Sequence, residues 1–133
     1  MATLSKRYLK QKRAAQRELQ KLGALRQEAK SKAISYVLKW KHSKSEWKFE
    51  KIRQIWLIDH LLDETAIPEE HFPIVLEYFE GCKGIARELL LKKGMEVMKK
   101  VEDNEANKDE IMDTVAYKRA RRLLQAIPNE LPL

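Results

Sequence analysis

The side chains with catalytic or metal-binding chemistry are few and widely spaced in this chain. They are three histidines, His42, His60 and His71, and one cysteine, Cys82. No two of them stand at the spacing of a zinc site, and the Glu-x-x-His pattern of di-iron helical bundles is absent. The glycine-rich loops that hold phosphates, GxxxxGK[ST] and GxGxxG, are absent too. The sequence therefore predicts no enzyme, no metal or other cofactor, and no small-molecule substrate.

Basic side chains are the more informative chemistry, and they are unevenly distributed. The first thirty residues hold nine Lys or Arg and two Glu, which accounts for the whole formal charge of +7. A neutral body with a cationic arm attracts polyanions over long range without destabilising its own packing. Nucleic acid is the polyanion that we expect to bind. The candidate contacts in this arm are Lys6, Arg7, Lys10, Lys12, Arg13, Arg17, Lys21 and Arg26.

Two further basic clusters lie in the body. The first is Lys41, Lys44, Lys48, Lys51 and Arg53, in which the spacing of Lys44, Lys48 and Lys51 predicts one face of a helix. The second is Lys118, Arg119, Arg121 and Arg122, where the planar Arg fork suits phosphate. Two alternatives stay open: an ordinary solvated face for the first cluster, and ion pairs with the acidic stretch 102–113 for the second.

The elements that must position these side chains are predicted to be helices. Gly and Pro total eight residues, and no β-branched alternating run occurs. We expect an all-α fold, a compact bundle of about four to five helices with a basic, helix-prone arm. Predicted helices cover 5–29 (with Gly23 as a break), 32–41, 47–62, 68–79, 85–101 and 110–127. In the central helix 47–62, Ile52, Ile55 and Trp56 are predicted to face the core.

The same pattern predicts four parts of the chain. Residues 1–30 form a basic arm, helical or disordered, and residues 31–101 form the main helical domain. Residues 102–109 form an acidic linker, and 110–127 form a basic helix packed on the domain. One cysteine excludes an internal disulfide, no apolar run approaches 18 residues, and the charged N-terminus lacks a signal-peptide core. We expect a soluble intracellular protein that does not bind membranes.

Several ordered motifs resemble one known family. They are Trp47-Lys48-Phe49, residues 51–57, 67–72, 76–81 and 84–89, and together they resemble the signature of the WKF domain family across 34–98. The basic stretch 117–122 is similar, more loosely, to the C-terminal helix of some members. The resemblance implies a eukaryotic nuclear, nucleolar protein that acts in assembly of the large ribosomal subunit and contacts ribosomal RNA. It implies no catalytic residue.

We therefore expect a non-catalytic assembly factor that binds structured ribosomal RNA through its basic helices and its arm, with pre-ribosomal proteins as possible further partners. The alternative is a helical protein–protein interaction module of a nuclear complex, in which the arm is a targeting or docking signal. Its contact surface would be the acidic stretch 59–80, which holds seven acidic residues and no Lys or Arg. No base-reading module such as an RRM, KH domain or zinc finger is present.

Overall fold

The computed structural model describes residues 5–127, and within that range the chain is helical with no strand. This confirms the all-α prediction. The helices are α1 (Lys6–His42), α2 (Lys51–His60), α3 (Phe72–Glu80), α4 (Ile85–Asp103), α5 (Lys108–Met112) and α6 (Val115–Ala126), with a 3-10 turn at Glu105–Asn107.

Helix α1 is a single element of 37 residues, where the sequence predicted two. It begins at Lys6 and is capped by Ser5, whose side chain accepts a hydrogen bond from the Tyr8 amide at 3.1 Å. The predicted break at Gly23 is wrong. A helical glycine costs only about 1 kcal/mol relative to alanine, too little to interrupt a run of Lys, Arg, Gln, Ala and Leu. The predicted boundary at residue 30 thus falls inside a continuous helix.

The core lies where the C-terminal part of α1 packs on α2 and α3. Ala33 and Val37 are fully buried there, against Leu57 of α2 and Phe79 of α3. Tyr36, Trp47 and Tyr78 form an aromatic cluster at one edge, with Tyr36 and Trp47 ring centres 5.4 Å apart.

Helix α2 begins at Lys51, four residues later than predicted. Residues 47–50 have no regular secondary structure, and this conformation places Trp47 against Tyr36. Packing of this aromatic ring therefore overrides local helix propensity. The shorter helix buries Leu57 and Ile58 and leaves Ile52 and Ile55 exposed, so the predicted inward positions of these two isoleucines are wrong.

The C-terminal region pairs with α4. The predicted single helix 110–127 is wrong, because it divides between α5 and α6, and Thr114 caps α6 by accepting a hydrogen bond from the Tyr117 amide. A Cβ placed on Gly94 of α4 would lie 2.8 Å from Leu124 Cδ2. The absent side chain at Gly94 thus allows α4 and α6 to approach closely.

Candidate nucleic-acid interface

A straight row of cations runs along the exposed part of α1. Every residue from 10 to 28 is exposed, so this part of the helix stands clear of the core. Five basic side chains recur at intervals of three or four residues, which places them on one face within an arc of about 80°. They are Lys6, Lys10, Arg13, Arg17 and Lys21, called here the basic stripe.

The other three predicted arm contacts lie off this row. Arg7 borders it, whereas Lys12 and Arg26 project from a different side of α1, by the same helical geometry. Within the described residues, none of the eight predicted arm cations forms an ion pair. Their charge is therefore directed to solvent and is available to an external anion.

The same face of α1 leads into a cleft of about 620 Å³. One wall comes from α1, the other from the connection between α1 and α2, and the first turn of α2 closes one end. The lining holds four cations and two carboxylates. Its residues are Ser31, Lys32, Ser35, Tyr36, Lys39, Glu46, Trp47, Lys48, Glu50 and Arg53, called here the basic cleft.

Two of the four cleft cations have carboxylate partners. Lys32 Nζ lies 2.7 Å from Glu28 Oε1, and this hydrogen-bonded lysine lowers the pKa of Glu28. Arg53 Nε lies 3.5 Å from Glu50 Oε2. Within the described residues, Lys39 and Lys48 have no such ion pair. Charge in the cleft is thus net positive, and the side chains of Lys39 and Lys48 are exposed to solvent.

The predicted cluster at 41–53 does not share one helix face. Lys44 and Lys48 lie in the connection, and only Lys51 and Arg53 belong to α2. The prediction is wrong because α2 starts too late to include Lys44 and Lys48. Lys41 is held by Glu77, 2.8 Å from its Oε1 atom, and Lys44 lies over the Trp40 ring at 5.3 Å.

Arg119, a predicted RNA contact, is buried and fixes the fold instead. Its guanidinium donates to the carbonyl oxygens of Leu61 at 3.1 Å and Ile67 at 2.7 Å, and to Glu69 Oε2 at 3.1 Å. It also lies 4.6 Å from the centre of the Phe72 ring. A side chain that is 1% exposed cannot reach a phosphate, so this prediction is wrong.

The neighbouring basic residues of α6 differ in how much charge they offer. Arg122 donates to Glu69 Oε1 at 3.2 Å, and Lys118 lies 3.5 Å from Asp113. Arg121 is exposed and, among the described residues, has no ion pair. The ion pairs of α6 thus go mainly to Glu69, with only Lys118 reaching the acidic stretch 102–113.

Sequence reasoning missed Lys32 and Lys39, along with the hydroxyls of Ser31 and Ser35. Ser31, Ser35 and Lys39 lie on the same helix face as the basic stripe, after Ala24 and Glu28, and Lys32 lies at its edge. The signal was present in the spacing, but it is visible only when α1 is known to be unbroken.

His60 and Cys82 serve packing. His60 stacks on Trp56 with ring centres 4.2 Å apart, and its Nδ1 lies 2.8 Å from the Trp56 carbonyl oxygen. Burial raises the pKa of the Cys82 thiol, which disfavours the reactive thiolate. Across residues 5–127, no group of three or more His, Cys, Asp or Glu side chains is placed to hold a metal ion. No helix in this part of the chain has the length and apolar character needed to cross a bilayer.

Comparison with protein families identifies one domain in the chain. The family model described as the WKF domain matches residues 35–97. The chain contains a WKF domain. This confirms the resemblance seen in the sequence. Most of the basic cleft lies within the WKF domain, whereas the basic stripe and α6 lie outside the matched residues.

Two curated relatives match about half of the chain. Cholesin of Mus musculus is 42% identical over 73 residues, which are 55% of this chain and 37% of the relative. Protein cholesin of Homo sapiens is 38% identical over 71 residues, 53% of this chain and 37% of the relative. The match thus spans little more than a third of either relative. No solved structure matches the chain.

Proposed function

We propose that this protein is a non-catalytic RNA-binding factor that acts on ribosomal RNA during assembly of the large ribosomal subunit in the nucleolus. The observation that carries the proposal is the basic stripe, five cations on one exposed face of α1 without an ion pair among the described residues. Regularly spaced cations on a rigid element match a phosphate backbone, which is itself a regular row of charges.

The binding is electrostatic and depends on RNA shape. Phosphate contacts by Lys and Arg release counterions, so affinity falls steeply as salt rises. For about six contacted phosphates, the loss between about 50 and 200 mM salt is on the order of a thousandfold. Structured RNA presents such backbones together with unpaired loops, which suits a protein without a base-reading module.

The ribosomal and nucleolar parts of the proposal depend on the WKF domain. The resemblance implies that role, and the chain's charge distribution is consistent with it. The names of the two relatives describe no RNA, so they do not bear on this part. The charge distribution supports a nucleic acid as the bound polyanion, and the family resemblance supports ribosomal RNA as the kind of nucleic acid.

The test compares two triple charge reversals of equal size. Lys10→Glu, Arg13→Glu and Arg17→Glu remove part of the basic stripe. Lys92→Glu, Lys99→Glu and Lys100→Glu change the net charge equally on exposed positions of α4. Binding to a fragment of large-subunit ribosomal RNA is measured across a salt series for the full chain and both variants.

The stripe variant is expected to lower the slope of log affinity against log salt by roughly two to three, because three phosphate contacts are lost. The α4 variant should change it little, and both should keep the helical circular dichroism spectrum. Equal weakening by both variants would show that only net charge matters. Failure of the unaltered protein to bind the RNA at low salt would overturn the proposal.

One observation favours protein contacts as a second candidate function. Large apolar side chains on and next to α2 and α4 are exposed, including Phe49 at 58%, Ile52 at 68% and Ile85 at 74%. Exposed apolar side chains that form a contiguous patch commonly mark interaction surfaces. A protein-interaction module would keep its partner when the basic stripe is reversed and lose it when Ile52 and Ile85 become polar. Pull-down of pre-ribosomal proteins with these variants separates the two functions.

A further inference from the structure

The basic cleft continues the basic stripe on one helix face. Ser31, Ser35 and Lys39 lie on the same face of α1 as the stripe, and α1 is unbroken between Lys21 and Ser31. Ala24 and Glu28 occupy that face between the two features. A backbone that lies along the stripe is therefore led into the cleft. The two features are otherwise separate, because the stripe is an open surface and the cleft is a concave site with walls from two elements.

The size of the cleft limits what can enter it. A volume of about 620 Å³ suits a group of small-molecule size. A nucleic-acid duplex is far too large to enter, since the major groove of B-DNA alone is about 12 Å wide. An unpaired nucleotide, with its base unstacked from its neighbours, is of the right size. RNA-binding proteins commonly take such nucleotides from loops and bulges.

The chemistry of the lining fits the parts of a nucleotide. Lys39, Lys48 and the Arg53 fork are donors for phosphate oxygens, and the hydroxyl of Ser35 adds a neutral donor. Glu46 and Glu50 are acceptors, which a bare phosphate would not need. A ribose 2′-hydroxyl or a base amino group supplies the donors that match them.

We propose that the basic cleft binds an unpaired nucleotide of an RNA strand, with its phosphate between Lys39, Lys48 and Arg53 and its hydroxyl or amino donors toward Glu46 and Glu50. The inference rests on the proposed RNA binding and names the part of the RNA that the body recognises. The basic stripe then supplies affinity for backbone, and the cleft supplies preference for a single-stranded segment.

The experiment pairs the double variant Lys39→Glu, Lys48→Glu with Lys92→Glu, Lys99→Glu. The second pair makes the same charge change at exposed residues of α4 that neither line the cleft nor belong to the predicted RNA contacts. Affinity of the full-length protein is measured for an eight-nucleotide uridine strand, for an RNA duplex with the same number of phosphates, and for uridine 5′-monophosphate. Ser35→Asp is a further variant, which adds a negative charge at an exposed position and keeps every cation.

The cleft pair is expected to weaken single-strand binding about tenfold and to lower its salt slope by roughly 1.4, for two lost contacts. Its affinity for the duplex should stay within about twofold of that of the unaltered protein. The matched pair should keep its affinities for both strand and duplex within the same range. Ser35→Asp should act in the same direction as the cleft pair.

Equal weakening of strand and duplex by the cleft pair, or an equal effect of the matched pair, would overturn the cleft as a nucleotide site while RNA binding stands. Tighter binding of the mononucleotide than of the strand would show a free-nucleotide site and overturn it too. If the unaltered protein binds neither RNA, the proposed function fails together with this inference.

Discussion

Tyr36 and Tyr78 share a hydrogen bond of 2.7 Å between their phenolic oxygens, in a part of the core that is nearly closed to solvent. Tyr78 donates its single hydroxyl proton to Gln54 Oε1, also at 2.7 Å. Tyr36 is therefore the donor to Tyr78. The result is a directed chain of hydrogen bonds from α1 through α3 to α2.

The direction of this chain predicts unequal effects of two tyrosine substitutions. Tyr36→Phe removes one donor and leaves the bond from Tyr78 to Gln54 intact, so we expect a loss of about 1 kcal/mol in the free energy of unfolding. Tyr78→Phe breaks both bonds and leaves the Tyr36 hydroxyl without its acceptor, for a loss of about 2 to 3 kcal/mol. Urea unfolding at neutral pH measures both; a larger loss for Tyr36→Phe would contradict the assigned direction.

The same cluster predicts a loss of stability in alkaline solution. Burial raises the pKa of Tyr78, and burial likewise raises the pKa of Cys82. The native state therefore holds protons that the unfolded chain releases, so the free energy of unfolding falls as pH rises above about 8.5 for the thiol and about 10 for the phenol. Urea unfolding from pH 8 to 10.5 should show this decline. Tyr78→Phe should flatten its upper part, and an unchanged profile in that variant would contradict the assignment.

Substitution of Arg119 is predicted to affect folding far more than RNA binding. Arg119→Met removes the donors to the Leu61 and Ile67 carbonyls and the bond to Glu69, with an expected loss of about 2 to 4 kcal/mol. Arg121→Met, its exposed neighbour, should change stability by less than about 0.5 kcal/mol. Thermal unfolding of the two variants gives the comparison. Similar melting temperatures would contradict the structural role of Arg119.

A side chain at position 94 is predicted to separate α4 from α6. Gly94→Ala improves helix propensity by about 1 kcal/mol, but its Cβ would come within 2.9 Å of two Leu124 side-chain atoms. Overpacking of this kind costs about 1 to 3 kcal/mol, so we expect a net loss. In Leu124→Ala the same substitution should be neutral or stabilising. A double-mutant cycle by urea unfolding measures the coupling, and additive effects would show that the two sites do not touch.

Order in the arm is predicted to control RNA affinity without altering the core. Gly23 has nothing within 4 Å of an added Cβ, and its surroundings on α1 are exposed. Gly23→Pro should break α1 and weaken RNA binding, since proline costs about 3 kcal/mol inside a helix, whereas Gly23→Ala should strengthen it. Both variants should melt cooperatively at nearly the unaltered temperature. Equal RNA affinities for the two variants would show that binding does not use a helical arm.

Much of this architecture follows from local sequence, and the exceptions have a common physical cause. The helical class and the exposed cationic arm follow from composition, because few Gly or Pro and many Lys, Arg, Gln and Ala leave little alternative. The start of α2 does not follow from local sequence, because packing of Trp47 on Tyr36 stabilises the fold more than a further helical turn would. The burial of Arg119 does not follow from local sequence either. An arginine is expected to be exposed to solvent, and only the fold brings the carbonyl oxygens of Leu61 and Ile67 to its guanidinium.

The candidate site shows the same division. The basic stripe can be read from the spacing of five residues, since it lies on one element. The basic cleft cannot, because Lys39 and Lys48 come from different elements and meet only after the connection folds back along α1. Ion pairs such as Lys41 with Glu77 likewise join residues distant in the chain.

Because α1 is continuous, the positions of its cations are fixed relative to one another over a defined length. At 1.5 Å per residue, Lys6 and Ser31 stand about 38 Å apart along a stiff axis. A disordered basic arm would bind phosphate groups at almost any separation. A helical arm binds phosphates of an RNA segment that stays straight over that distance. An RNA that bends sharply within this distance would lose its contacts at one end of the row. The protein would therefore select RNA by its shape, without contacting any base.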